Sequence, residues 1–426
     1  MLSAALSTVS LSTQDGLIFC GLNPQDSIMH TTNNLYKFSD MSCVDVVTFC
    51  FSPTRKYLAV TDSTKKLLLY NFANNVCVKI ADKEIPRCAA CVTFTQDEQF
   101  VVFGEKSGNV YKLSIPDLTT ESNQPSLDVM LGHLSILSDI AVSYDGKLLA
   151  TCDRDGKIRI SRFQQPFVIE AFCLGHSCFI SQLTFLPRSY LLVSAGGDGY
   201  LRLWQSETGT QLSCIQLTLG GETKKVEAEE NSLSVVNPVI IHRLFIAETD
   251  ICVCSSSSHP VAFVVRIHTD QSKLARWGTP SRIQTPGNRP LLDSALCIVD
   301  SGGDYSRIIF IGLTSESTPY LVFWSLSSST HSPDSFDWKE LQVVNPIPES
   351  LLKLPDPIPR LELLKSLAKR EVDRSMIETY EENKRIRHQN VLDRRLRHQQ
   401  KRQAKKHQKQ SVPPGTQGPG ITSDIL

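Results

Sequence analysis

The sequence contains no apolar run approaching the roughly 18 residues that a membrane-crossing helix needs. No lysine or arginine precedes Lys37, so a secretory leader is not expected. No glycine-rich G-x-G-x-G loop follows a strand-like run, and there is no P-loop; the late PGTQGPG stretch is low-complexity rather than a phosphate cradle. Thirteen cysteines are present, yet only Cys88 and Cys91 form a C-x-x-C, with no second cysteine or histidine pair at zinc spacing. The others lie mostly in apolar runs such as VVTFC and ICVC, which predicts buried free thiols and no metal site. The expectation is a soluble protein of a reducing compartment, without metal or cofactor of its own and without a catalytic centre.

What the chain has is repetition and an uneven charge. It holds 426 residues, 41% of them hydrophobic, enough to bury a large core. The formal net charge is zero, but residues 383–410 carry eleven Lys or Arg against Asp393 alone, so the rest carries ten net negative charges. Lys384, Arg385, Arg394, Arg395, Lys401, Arg402, Lys405 and Lys406 are the densest part of that run. An acidic body with a basic tail fits an RNA-contacting arm, a nuclear import signal or a solvated charged helix.

Two stretches run in parallel 43 residues apart, LGHLSILSDIAVSYDGKLLATCDRDGKIRIS from Leu131 and LGHSCFISQLTFLPRSYLLVSAGGDGYLRLW from Leu174. Each reads as Gly-His, an alternating run, a turn, a second run, an Asp-Gly turn and a third run. The second turn recurs at Lys65, Gly108, Gly156 and Gly199, a period of 43 to 48 residues. Short strands at that period with Asp-Gly turns are the WD40 signature, one propeller blade per repeat. Weaker copies around Asn33-Asn34, SSSSHPVAFVVRI and STPYLVFW place third strands ending near 38, 70, 113, 161, 204, 267 and 324. The prediction is an all-β, seven-bladed WD40 β-propeller over 1–345, since seven copies can close a ring without free sheet edges. Residues 220–232 and 269–289 are expected as polar surface loops. Phe336 to Val344 is expected to give one strand that closes the ring with N-terminal strands. A proline-rich linker follows over 346–360. Leu361, Leu364, Ala368, Val372, Met376 and Tyr380 then recur at helical steps. They predict an amphipathic, then basic, α-helix over 361–410 before a disordered tail over 411–426.

His176, Ser194, Asp198 and Trp204 stand at the spacing of the buried hydrogen-bond tetrad of WD40 blades, in which each polar group satisfies another. A nucleophilic Ser-His-Asp arrangement is the alternative. In the first copy His133, Thr151 and Asp155 are expected in the first three places, with Ser161 where the tryptophan would stand. Arg154, Asp155, Lys157 and Arg159 make a dense charged cluster there. Alternation puts Lys157 and Arg159 on one face and the isoleucines on the other. The cluster is either a charged turn of an edge strand or an ion-pair docking patch.

From Leu131 to Trp204 the chain resembles the WD-repeat non-catalytic subunit of tRNA (guanine-N7)-methyltransferase. LGHLSIL, SDIAVS, DRDGKIRIS, FCLGHSCFIS and LLVSAGGDGYLRLW carry the resemblance, and LGHxSxL followed by DRDxxIxxS, with Ser in place of Trp, is its specific part. The resemblance implies a heterodimer with a separate Rossmann-type catalytic subunit, which holds S-adenosylmethionine and methylates a variable-loop guanine of tRNA at N7. It implies a nuclear protein, with the cytoplasm as a second location. Carried over by motif, Arg154, Asp155, Lys157 and Arg159 lie at the subunit contact, with Gly156 where relatives often have Glu. A WD40 substrate receptor of a ubiquitin ligase, or a general interaction scaffold, is the alternative. The Trp-Asp-x-Arg motif many such receptors carry is absent after Trp204 and Trp324.

Overall fold

A computed structural model describes residues 2–5, 8–13, 16–25, 28–32, 46–73, 76–119, 127, 129–219, 239–247, 250–270, 275–300, 306–314, 320–328, 336–344 and 367. The chain divides into two compact units, Met1–Ala368 and Lys369–Leu426. The basic-tail residues Lys384 to Lys406, the predicted helical stripe and the proline-rich linker lie outside the described residues.

The described chain is antiparallel β almost throughout, in sheets of four or five strands. Most are meanders: Leu137–Val142, Leu148–Asp153, Lys157–Arg162 and Ile169–Leu174 follow one another across a sheet, as do Ile180–Phe185, Leu191–Gly196, Tyr200–Gln205 and Thr210–Gln216. This is a WD40 propeller-like fold. The second strands are buried at every residue in Leu148–Asp153, Leu191–Gly196 and Ile251–Ser256. They are buried on both faces, so their sequences are apolar and small residues without a polar face, and the polar residues they do hold are buried.

The repeat marker has a conformational reason. Lys65, Gly108, Gly156 and Gly199 all have positive φ, between 66° and 100°. Each sits in the tight turn between second and third strands, where a left-handed residue is required and glycine meets it without a Cβ clash. A second series, Arg55, Glu98, Gly146 and Arg188, does the same in the turn between first and second strands.

The first strands of successive sheets lie side by side, from Val46–Phe51 through Ala89–Phe94, Leu137–Val142, Ile180–Phe185 and Ile241–Ala247 to Asp293–Asp300. They line a cavity of about 650 Å³. Side chains link one sheet to the next along this wall. Asp139 Oδ2 accepts from the Leu183 amide at 3.0 Å, and Gln182 Oε1 accepts from the Leu244 amide at 3.0 Å. Arg243 then grips Asp293 with two parallel bonds, Nε to Oδ1 at 2.6 Å and Nη2 to Oδ2 at 2.9 Å. Burial disfavours both charges, but their mutual attraction wins. Arg243 is raised above its ordinary value and Asp293 held well below the usual carboxylate range.

Three expectations are corrected. The first sheet has strands at Leu2–Ala5, Thr8–Thr13, Gly16–Gln25 and Ile28–Thr32, so its third strand ends at Gln25 rather than near 38. The 269–289 insert is not simply loop: Ala275–Trp277 and Ser281–Gln284 both pair with Val261–Thr269. Ala275, Trp277 and Ile283 are buried, and that burial orders the insert. The stretch expected as one closing strand is two: Phe336–Glu340 completes the 293–340 sheet, while Gln342–Val344 pairs in parallel with Ile28–Thr32. The 220–232 segment lies outside the described residues.

Candidate functional site

The two repeats place their polar groups differently. In the second copy His176 Nδ1 meets Asp198 Oδ2 at 2.8 Å and His176 Nε2 meets Ser194 Oγ at 2.7 Å. Trp204 Nε1 donates to the same Ser194 Oγ at 2.8 Å. Asp198 also accepts from the amides of Ser177 and Tyr200, both at 3.2 Å. Burial pushes the Asp198 carboxyl up, but the hydrogen bond and charge of His176, with the Tyr200 amide and Arg202, outweigh it and hold the group below its ordinary value. The order of contacts is that of a Ser-His-Asp triad, but Ser194 and Trp204 are fully buried. The serine oxygen accepts the indole proton, so a substrate carbonyl has no approach to it. The arrangement ties the Gly-His loop to its sheet.

In the first copy the histidine is held by a different aspartate. His133 Nδ1 meets Asp153 Oδ2 at 3.0 Å and Nε2 meets Thr151 Oγ1 at 2.7 Å. The expectation that Asp155 takes the carboxylate place is therefore wrong. Thr151 and Asp153 are two apart on one strand and share a face, so Asp153 already lies beside the imidazole. In the second copy Gly196 stands at the end of that strand, and the carboxylate has to come from the turn, at Asp198. Asp153 Oδ1 also accepts from the amides of Asp155 and Lys157, at 2.9 and 3.2 Å, fixing the turn.

The vacant tryptophan place is taken by Arg159. Its Nε donates to Ser161 Oγ at 2.9 Å and its Nη2 to the Pro166 carbonyl at 2.8 Å. Burial lowers its guanidinium below the ordinary value. Arg202, at the matching position of the second copy, instead turns to Gln211 and approaches Asp198 at 3.9 Å. The smaller Ser161 is what lets Arg159 fold inward. Of the predicted cluster, Lys157 is exposed, while Arg154, Asp155 and Arg159 are half-buried around one turn and strand. Gly156 has φ +74°, and a Cβ there would lie 2.8 Å from the carbonyl oxygens of His176 and Cys178. A side chain at this place is strained in this backbone whatever the space around it.

Sequence reasoning missed the apolar half of this surface. Lys157 pairs with Leu174 and Arg159 with Phe172 across the sheet. Leu174 is 63% exposed, Phe172 47% and Phe167 in the preceding loop 76%, with Ile169 also exposed. Ile169–Leu174 is the last strand of its sheet, and no further strand pairs with it among the described residues. The matching positions of the second copy, opposite Tyr200 and Arg202, are Gln216 and Cys214. That strand is flanked by Ala275–Trp277, whose Trp277 amide donates to Ser213 Oγ. The signal was present in IEAFCL: both faces of an edge strand are apolar, where one should be polar.

The fold and this surface define a WD40 propeller-like protein with an apolar and cationic sheet edge that no strand covers among the described residues. Residues 117–297, which hold both copies, match the model of the tRNA methyltransferase TRM82 WD40 domain. The non-catalytic subunit wdr4 of tRNA (guanine-N(7)-)-methyltransferase from Xenopus laevis is 38% identical over 195 residues, covering 46% of this chain and 47% of that protein. WDR4 from Mus musculus is 40% identical over 182 residues, 42% of each chain, and wuho from Drosophila mojavensis 36% over 176 residues, 41% of this chain and 45% of that one. The family resemblance is thus borne out over this segment; the matches span somewhat under half the length of these curated relatives. Among solved structures, a chain of the mitotic checkpoint complex superposes with a TM-score of 0.54 at 14% identity, over 76% of this chain and 88% of that one. U3-55K gives 0.50 at 13% identity, over 71% and 83%. At such identities these show the fold alone.

Proposed function

We propose that the chain is the non-catalytic subunit of a heterodimeric tRNA (guanine-N7)-methyltransferase. In this reading it docks a catalytic subunit that carries S-adenosylmethionine, and it is not itself an enzyme. The observation that carries the reading is the free edge of the 137–174 sheet, with Phe172, Leu174, Ile169 and Phe167 exposed beside Lys157 and Arg159. Exposed apolar side chains rimmed by charge on a rigid sheet are what a specific protein contact uses. The edge lies inside the segment that matches TRM82, and the relatives that match it are named as non-catalytic subunits.

The rest of the reading follows from that docking. The sheets form seven blades of one ring, closed through the N-terminal sheet, with a basic helix beyond residue 361. A rigid ring holds the partner and a tRNA in register, which matters because small misplacements of reacting groups cost rate. The acidic body does not attract RNA; the basic tail supplies the cations for its backbone, or directs import to the nucleus. Arg159 is already committed to Ser161 and Pro166, so it shapes the edge as well as charging it. The cleaner test is therefore on the exposed apolar side chains. Phe172→Ser combined with Leu174→Ser is expected to abolish equimolar co-purification with the catalytic subunit and leave the melting temperature within a degree or two. Intact co-purification would remove this edge from the reading.

A further inference from the structure

At the opposite end of the sheets from the 153–157 turn, the turn between Val46–Phe51 and Tyr57–Asp62 carries Arg55. Its Nε and Nη2 are buried and have no hydrogen-bond partner. The same hydrogen-bonded place, three residues into the turn, is held by Glu98, Gly146 and Ser189 in the sheets that follow. The repeat therefore does not require an inward arginine; Arg55 is turned in by its own setting. It lines a cavity of about 440 Å³ with Gln182, Thr184, Phe245 and Leu296, residues that also border the central cavity. Burial holds its guanidinium below the ordinary value.

The same molecule shows what satisfies that edge of a guanidinium. Arg243 uses Nε and Nη2 to take both oxygens of Asp293, the fork geometry that suits carboxylate and phosphate. Three carboxylates beside this turn and along the first-strand wall are each engaged elsewhere. Glu98 takes the Thr54 amide at 2.7 Å and the Thr54 hydroxyl at 2.8 Å, Asp139 takes the Leu183 amide, and Asp293 is held by Arg243. Gln182 gives its oxygen to Leu244, so its amide nitrogen is the donor end left in the wall of the cavity. A buried donor pair without an acceptor is costly, and an oxyanion entering the cavity removes that cost.

We propose that Arg55 forms an oxyanion site at the mouth of the central cavity, which takes the carboxylate or phosphate group of a small ligand on its Nε and Nη2 edge. The site lies away from the Lys157–Arg159 edge and does not depend on the methyltransferase reading.

The test uses the full chain and side-chain NMR of arginine Nε–Hε pairs. The Arg55 signal is assigned by its loss in Arg55→Gln. Titration with inorganic phosphate and, separately, with acetate is referenced to chloride at equal ionic strength. The site predicts a saturable downfield shift of this one signal, and the tighter of the two anions identifies the ligand group. A linear drift shared with Arg188, for both anions, overturns the proposal. Thermal melting gives a second reading. Without anion, Arg55→Gln is expected to melt at or above the parent, since it removes an unpaired, desolvated charge. With saturating anion the parent is expected to gain and the variant to gain less. Equal gains in both would mean that the anion acts elsewhere, and would also overturn the site.

Discussion

The 137–174 and 180–216 sheets share strand order, turn geometry and a histidine held between a carboxylate and a hydroxyl; they part at the fourth place. Where Trp204 stands, the indole closes the network, Arg202 turns to Gln211 and reaches only the rim of the network at Asp198, and the outer strand is flanked by Ala275–Trp277. Where Ser161 stands, Arg159 folds into the space and the outer strand shows Phe172 and Leu174 to solvent. The two sheets thus differ both at the fourth place and in the exposure of the outer strand. The lesson is that a repeat's departures carry more functional information than its consensus, because the consensus is spent on stability.

The largest effect is expected where the network is complete. Trp204→Ala removes a fully buried indole and should cost about 3–5 kcal/mol, seen as a large drop in melting temperature. A small drop would mean that the two sheets do not differ as described. Asp153→Ala should cost about 1–3 kcal/mol, because it strands His133 and two turn amides. Asp155→Ala should cost less. The reverse order would restore Asp155 to the carboxylate place.

Ser161→Trp sharpens the contrast from the other side. If Arg159 holds the indole's place, the added ring should overpack the site and destabilise by about 1–3 kcal/mol. Removing the guanidinium as well, in Arg159→Ala with Ser161→Trp, should recover part of that loss. Stabilisation by Ser161→Trp alone would show that Arg159 does not fill the space.

A pH experiment separates the carboxylates. Asp198 titrates below its unfolded value. Its contribution is therefore fully present above the ordinary carboxylate range, near about pH 4, and is lost as pH falls through the folded value. Asp198→Asn should be less stable than the parent at neutral pH, and the two melting curves should converge below that range. A gap that stays constant down to low pH would show that the His176 contact does not depend on the carboxylate charge.

Much of this was legible in the sequence. The marker at Lys65, Gly108, Gly156 and Gly199 survived because a left-handed turn constrains its residue locally. The tetrad at His176, Ser194, Asp198 and Trp204 was legible because its spacing repeats. Asp155 was expected in the carboxylate place because alignment by the Asp-Gly turn hides that Asp153, on the strand, faces the imidazole. Arg243 and Asp293 were not found, since residues 50 apart with no motif meet only when the first strands line up. The order in 269–289 was hidden by its polar composition, which masks three buried apolar side chains. Phe172 and Leu174 were readable in principle, but an apolar residue in a strand looks like core until the strand is known to be an edge.

The most direct measurement is the affinity of the catalytic subunit for three full-length chains, by calorimetry at physiological salt. These are the parent, Phe172→Ser with Leu174→Ser, and Arg202→Gln in the complete sheet. The apolar pair is expected to weaken binding by roughly tenfold or more, as removal of buried contact residues does, with Arg202→Gln close to the parent. Equal affinity for all three, or equal loss in both variants, would contradict the claim that the Ser161 sheet is the docking edge.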